Sequence, residues 1–120
     1  MKKPNSLESQ IQKILQKNNL RHTRQHYVGN YPVDFYLPDY NLSIQVDGCW
    51  VHAHECSKGC SGKKRYPRHI FTKRRDKACN MYHKYTKVNI LRIKECQLDS
   101  AEGLIFIAIR KIISGERIYD

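Results

Sequence analysis

The chain has 120 residues, 40% of them hydrophobic, and carries 22 Lys and Arg against 11 Asp and Glu, for a formal net charge of +11 and a pI of about 9.6. That length holds one domain, 1–120, with a single sheet-and-helix core, and its apolar share argues against a disordered chain. The charge calls for a polyanionic partner, because each cation that meets a phosphate releases condensed counterions. No apolar run is long enough to span a bilayer, and the opening Met-Lys-Lys-Pro-Asn-Ser leads into an amphipathic helix rather than a signal sequence. A cytoplasmic protein with a nucleic-acid partner and no membrane partner is expected.

Asn5 or Ser6 can cap a first helix whose apolar residues Leu7, Ile11, Ile14 and Leu15 share one face, and which fades near Asn18 and Asn19. Residues 33–37 read as a strand, 38–41 as a turn and 42–46 as a second strand that runs into Asp47 and Gly48. Residues 49–70 form an irregular loop rich in Cys, His, Gly and Lys, too long for so small a domain unless something organises it. A basic helix over 72–84 follows, carrying Lys73, Arg74, Arg75 and Lys77. Residues 88–93 make an apolar, β-branched strand interrupted by Asn89 and Arg92. Asp99 and Glu102 then form a capping-box pair that opens a last helix, with Leu104, Ile105, Ala108, Ile109, Ile112 and Ile113 as its apolar side. The order α-β-β-loop-α-β-α predicts an α/β fold with a mixed sheet.

Two groups of residues carry chemistry. Asp34 ends the motif Pro32-Val33-Asp34 and Asp47 ends the second strand, and pairing through the 38–41 turn brings both carboxylates toward one end of the hairpin. Convergent carboxylates hold a hard divalent ion, which phosphodiester cleavage uses to offset charge on the phosphate. Acids at strand ends also serve as ordinary turn residues or lysine partners, so this pair alone does not decide. The second group is Cys49, His52, His54 and Cys56, with Cys60 just beyond and Cys96 after the late strand. Such density in a chain with an odd number of cysteines points to zinc rather than disulfides. Thiolates suit zinc and carboxylates suit magnesium, so two metal sites can coexist. Spacing alone does not choose the four zinc ligands, and Cys60 is a rival. Cys79 reads as a helix-face core residue.

Taken in order, these elements resemble the very-short-patch-repair (Vsr) endonucleases and the related EDxHD homing endonucleases, a branch of the PD-(D/E)XK nucleases. The resemblance runs from Glu8 to Cys96. It rests on Glu8, Pro-Val-Asp34, the run from Asp47 through Cys49, His52 and His54 to Cys56, then Lys-Arg-Arg-Asp76 and Ile-Leu-Arg-Ile-Lys-Glu-Cys96. It implies a mixed central sheet flanked by helices, a zinc-stapled loop, and magnesium-dependent cleavage of double-stranded DNA. It implies Asp34 as central magnesium ligand, helped by Asp47 or the Val46 carbonyl, with Glu8 holding metal-bound water. His52 would be the general base, Asp76 its orienting partner, and Cys49, His54, Cys56 and Cys96 the zinc ligands. A neutral imidazole titrates near working pH and suits the base, and a carboxylate behind it fixes its tautomer. A prokaryotic or phage setting is expected.

The chain also departs from that pattern. Cys49 stands where many PD-(D/E)XK enzymes carry a catalytic Lys, which fits the branch with a histidine base. Asp47 stands where mismatch-repair members carry a His, and Val51 follows Trp50 where an aromatic wedge is expected. These differences favour a homing or mobile-element nuclease over mismatch repair. Phosphate contacts fall to Lys58, Lys63, Lys64, Arg65, Arg68, Lys73, Arg74 and Arg75, with Trp50 reaching DNA or packing beside zinc. In so short a chain, a long recognition site requires a homodimer or a partner. The alternative is a non-catalytic, zinc-containing module that binds nucleic acid; it has no need of the Glu8, Asp34, Asp47, His52, Asp76 set.

Overall fold

A computed structural model describes residues 6–47 and 67–119, with side chains over 7–47 and 74–119. Helix α1 spans Ser6–Lys17, and strands β1 (Thr23–Val28), β2 (Tyr31–Leu37) and β3 (Leu42–Asp47) follow. Helix α2 (Pro67–Thr86), strand β4 (Asn89–Lys94), a 3₁₀ turn (Glu95–Ser100) and helix α3 (Ala101–Ile113) complete the order. The strands form one sheet in the order β1-β2-β3-β4, antiparallel except for the parallel pair β3–β4. A parallel neighbour needs a crossover connection, and α2 lies in it. The expected mixed sheet is present, with one strand more than the sequence reading predicts. Among the described residues no helix is long and apolar enough to cross a membrane.

The period-2 alternation of the strands sorts the residues onto two faces. Phe35, Leu37, Leu42, Ile44, Val46 and Ile93 join Ile11 and Leu15 of α1 and Ala101, Ile105, Ala108 and Ile109 of α3 in one buried cluster. The other face carries Asp34, Ser43, Gln45, Asp47 and Arg92, and α2 packs there through His83 and Asn80. The sheet therefore has an apolar side that supplies stability and a polar side where chemistry is possible.

Four local readings are corrected. Strand β1 was not expected, because Thr-Arg-Gln-His-Tyr-Val carries little apolar alternation and buries only Val28. Cross-strand contact holds it instead: His26 stacks on Tyr36 at 4.3 Å between ring centroids. The β1–β2 turn uses Gly29 at φ +62°, where a Cβ would lie 2.5 Å from the Tyr82 ring of α2. Helix α2 begins at Pro67, inside the segment read as loop; proline is well tolerated in a first helical turn, where its missing N–H costs nothing. The late strand starts at Asn89 rather than Val88. The capping box of Asp99 and Glu102 does not form. Asp99 lies in the 3₁₀ turn, Ser100 precedes α3, and Glu102 accepts a 2.9 Å hydrogen bond from Asn18 Nδ2 at the end of α1.

Candidate active site

The β2–β3 ladder pairs Leu37 with Leu42, Tyr36 with Ser43 and Phe35 with Ile44, and stops there. The β1–β2 ladder passes over the same point: Arg24 pairs with Phe35 and His26 with Val33, while Gln25 between them turns to φ 52°. Asp34 thus sits at a fork, where side chains replace backbone partners. Its N–H donates to Gln45 Oε1 at 3.3 Å, and its Oδ2 accepts the Val46 N–H at 2.7 Å. The strand sequence keeps Val33 and Phe35 in the core, which directs Asp34 to the polar side.

Burial raises the Asp34 carboxyl from an ordinary value of 3.8 to about 7. The Val46 N–H opposes that rise, whereas a hydrogen bond with the Glu8 side chain and the charges of Glu8 and Asp47 reinforce it. Two acids expected beside Asp34 are therefore close enough to bear on its charge. Glu8 comes from the first turn of α1, Asp34 from mid-β2 and Asp47 from the end of β3.

Asp47 is buried, and Arg92 Nη1 lies 3.2 Å from its Oδ1 and 3.3 Å from its Oδ2. The pairing follows from register: Gln45 lies beside Arg92 across the parallel ladder, and Asp47 is two positions on, on the same face. The same guanidinium donates from Nε to Asn80 Oδ1 at 2.8 Å and from Nη2 to the Asp76 carbonyl at 3.3 Å. Asp76 Oδ1 stands 3.5 Å from Nη1. Asp76 is expected to orient the base; among the described side chains it forms an ion pair with Arg92. Arg92 was not singled out as a site residue. Its signal in the sequence is a lone cation inside an otherwise apolar strand, which has to meet an acid when that strand is interior.

The remaining predicted residues divide by position. His52, Cys49, His54, Cys56, Cys60, Trp50, Lys58, Lys63, Lys64 and Arg65 lie outside the described residues. Arg68 and Lys73 belong to α2. Arg74, Arg75 and Lys77 are exposed on α2, and Arg74 and Lys77 share a stripe with exposed Met81 and Tyr85. Cys96 is a half-buried thiol in the 3₁₀ turn after β4, the one proposed zinc ligand among the described residues. Cys79 is buried on the inner side of α2 as expected, and burial raises its thiol pKa.

Among the described residues, no three His, Cys, Asp or Glu side chains converge to enclose a metal ion by themselves. A magnesium-like ion does not need that, since it commonly takes one or two carboxylates and fills its other positions with water. The donor set at the fork fits such an ion. It is all oxygen, it is partly shielded from solvent, and its negative charges press Asp34 toward protonation unless a cation relieves them.

The structure is similar to one solved as the homing endonuclease I-Bth0305I catalytic domain, with a TM-score of 0.58 and 20% sequence identity over 92% of this chain and 96% of that one. No protein-family model matches the chain, and no curated protein matches it either.

Proposed function

We propose that this chain is a magnesium-dependent DNA endonuclease with a Vsr-like, PD-(D/E)XK core, of the homing or mobile-element kind. The observation that carries the reading is the Asp34 fork. A half-buried carboxyl meets the Glu8 side chain and the Asp47 charge, an arrangement that costs stability and has no evident structural purpose. The fold shared with a homing endonuclease catalytic domain supports it, as does the net charge of +11.

In this reading Asp34, helped by Asp47 or the Val46 carbonyl, would hold the ion and Glu8 its bound water, and the ion would offset charge on the scissile phosphate. Asp34 is aimed by the Val46 N–H, which donates to its Oδ2 at 2.7 Å. His52 takes the proton from the attacking water and Asp76 steadies the imidazole. Cys49, His54, Cys56 and Cys96 bind zinc and fix the segment that carries His52, because a base works best on a rigid support. The exposed stripe of Arg74, Lys77 and Tyr85 on α2 faces the duplex and grips phosphates with little regard for sequence. Asp47 in place of a histidine, and Val51 after Trp50, favour homing over mismatch repair.

The test is cleavage of supercoiled plasmid with magnesium, zinc kept present, by the wild type beside Asp34→Ala and His52→Ala. Nicking or linearisation by the wild type alone is expected. Equal activity in all three would overturn the site assignment. Retarded DNA without cleavage, by all three, would favour the non-catalytic zinc module.

A further inference from the structure

Strand β1 adds little to the core. Of Thr23–Val28 only Val28 is buried, and Thr23, Gln25 and Tyr27 alternate as exposed positions on a strand at one end of the sheet order. Asn30 in the following turn is exposed as well. The hairpin is nevertheless braced. Gly29 lies so close to α2 that a Cβ there would meet the Tyr82 ring at 2.5 Å, and Tyr31 packs on that ring with centroids 5.6 Å apart.

Gln25 is the strained point of this ribbon. Its φ of 52° is a left-handed conformation that glycine adopts freely and a longer side chain adopts at a cost. It is level with Asp34, since Arg24 pairs with Phe35 and His26 with Val33. Among the described residues its side-chain amide has no hydrogen-bond partner. Backbone strain that serves no internal contact, abreast of the candidate metal-binding acid, points to a ligand.

We propose that β1 and its turn are a base-reading ribbon, in which Gln25, with Tyr27 and Asn30 beside it, contacts base edges of the duplex next to the phosphate bound at the Asp34 fork. The proposal rests on the nuclease reading above and gives it a source of sequence preference. Two surfaces divide the work by chemistry. Helix α2 exposes the cations Arg74 and Lys77, which suit phosphates whatever the sequence. Strand β1 exposes neutral groups that donate and accept. A glutamine amide matches the adjacent donor and acceptor of adenine in the major groove, which is wide enough for a two-stranded ribbon. The brace on Tyr82 fixes ribbon against helix, so base contact and cleavage position stay in register.

One substitution separates this role from a purely structural one. Glycine suits a φ of 52° better than glutamine does, so a residue needed only for the backbone is replaced by it without loss. Gln25→Gly should therefore keep or raise the melting temperature while sequence preference falls.

The experiment is cleavage of a randomised duplex library with magnesium, zinc kept present, and sequencing of the cut ends. Wild type, Gln25→Gly and Tyr27→Ala are compared, and each is also melted by calorimetry. Wild type should favour adenine at one position near the cut. Gln25→Gly should lower that preference roughly 5–150-fold, the value of one good bidentate contact, and cut disfavoured sites as wild type does. Tyr27→Ala, at a side chain 65% exposed, should flatten preference at a neighbouring base pair, and it carries the test if Gln25→Gly does not fold. An unchanged cut-site spectrum in the folded variants, or a wild type that cuts all sequences alike, would overturn the proposal. So would a loss spread evenly over every sequence, which would make Gln25 a phosphate contact. A wild type that cuts no duplex would instead remove the nuclease reading, and this inference with it.

Discussion

His83 and Asp34 both lie on the α2 side of the sheet, and they are treated in opposite ways. His83 is fully buried, and each ring nitrogen has a partner. Nδ1 donates to the Cys79 carbonyl at 2.8 Å, which leaves Nε2 to accept from the Ser43 hydroxyl at 3.0 Å. Burial lowers its pKa, so the ring stays neutral and costs little. Asp34 is also largely shielded, but its neighbours include Glu8 and Asp47, which carry the same charge when ionised. A satisfied polar group holds helix to sheet. A carboxyl pressed by other carboxyls weakens the fold, and such places are where function is found.

Perturbing each member separates the two cases. The largest expected effect is loss of cleavage in Asp34→Asn, about a thousandfold or more if the ion supplies several kcal/mol to the transition state. Its melting temperature at pH 8 should hold or rise, read by calorimetry. His83→Ala should do the reverse, costing about 2–4 kcal/mol in denaturant unfolding through a cavity and an orphaned Ser43 hydroxyl. Its cleavage per folded molecule should be that of the wild type. Glu102→Gln should be the mildest. Asn18 and then Lys17 hold that carboxyl below its usual pKa, but it is open to solvent, so thermal unfolding should barely move.

Much of this site was legible in the sequence because it depends on strand pattern. A strand that buries Val33, Phe35 and Leu37 has to turn Asp34 the other way, and the 38–41 turn has to bring β3 beside it. The first helix was equally readable, since Leu7, Ile11, Ile14 and Leu15 leave one face for the sheet. What stayed hidden depends on contacts between distant segments. Strand β1 is nearly all polar and is held by the neighbour it stacks against. Arg92 meets Asp47 across 45 positions of sequence, and His83 meets Ser43 across 40. Neither pairing has a local pattern. The Glu102 capping box failed for the same reason, because Asn18, 84 residues earlier, competes for the carboxylate.

These two groups also set opposite pH trends. The Asp34 pKa is raised, so the stability it contributes is full below 3.8 and drains away as pH climbs through about 7. The His83 pKa is lowered from 6.5, so its contribution is full above that value and is lost as the pH falls. Comparing wild type with Asp34→Asn cancels the histidine and leaves the fork. The most direct test of the account is therefore the melting temperature of both proteins from pH 4 to 8, with and without magnesium. Without the ion, wild type should lose stability relative to Asp34→Asn as pH rises, and magnesium should restore it in wild type alone. Parallel curves, unmoved by magnesium, would contradict a cation site at the Asp34 fork.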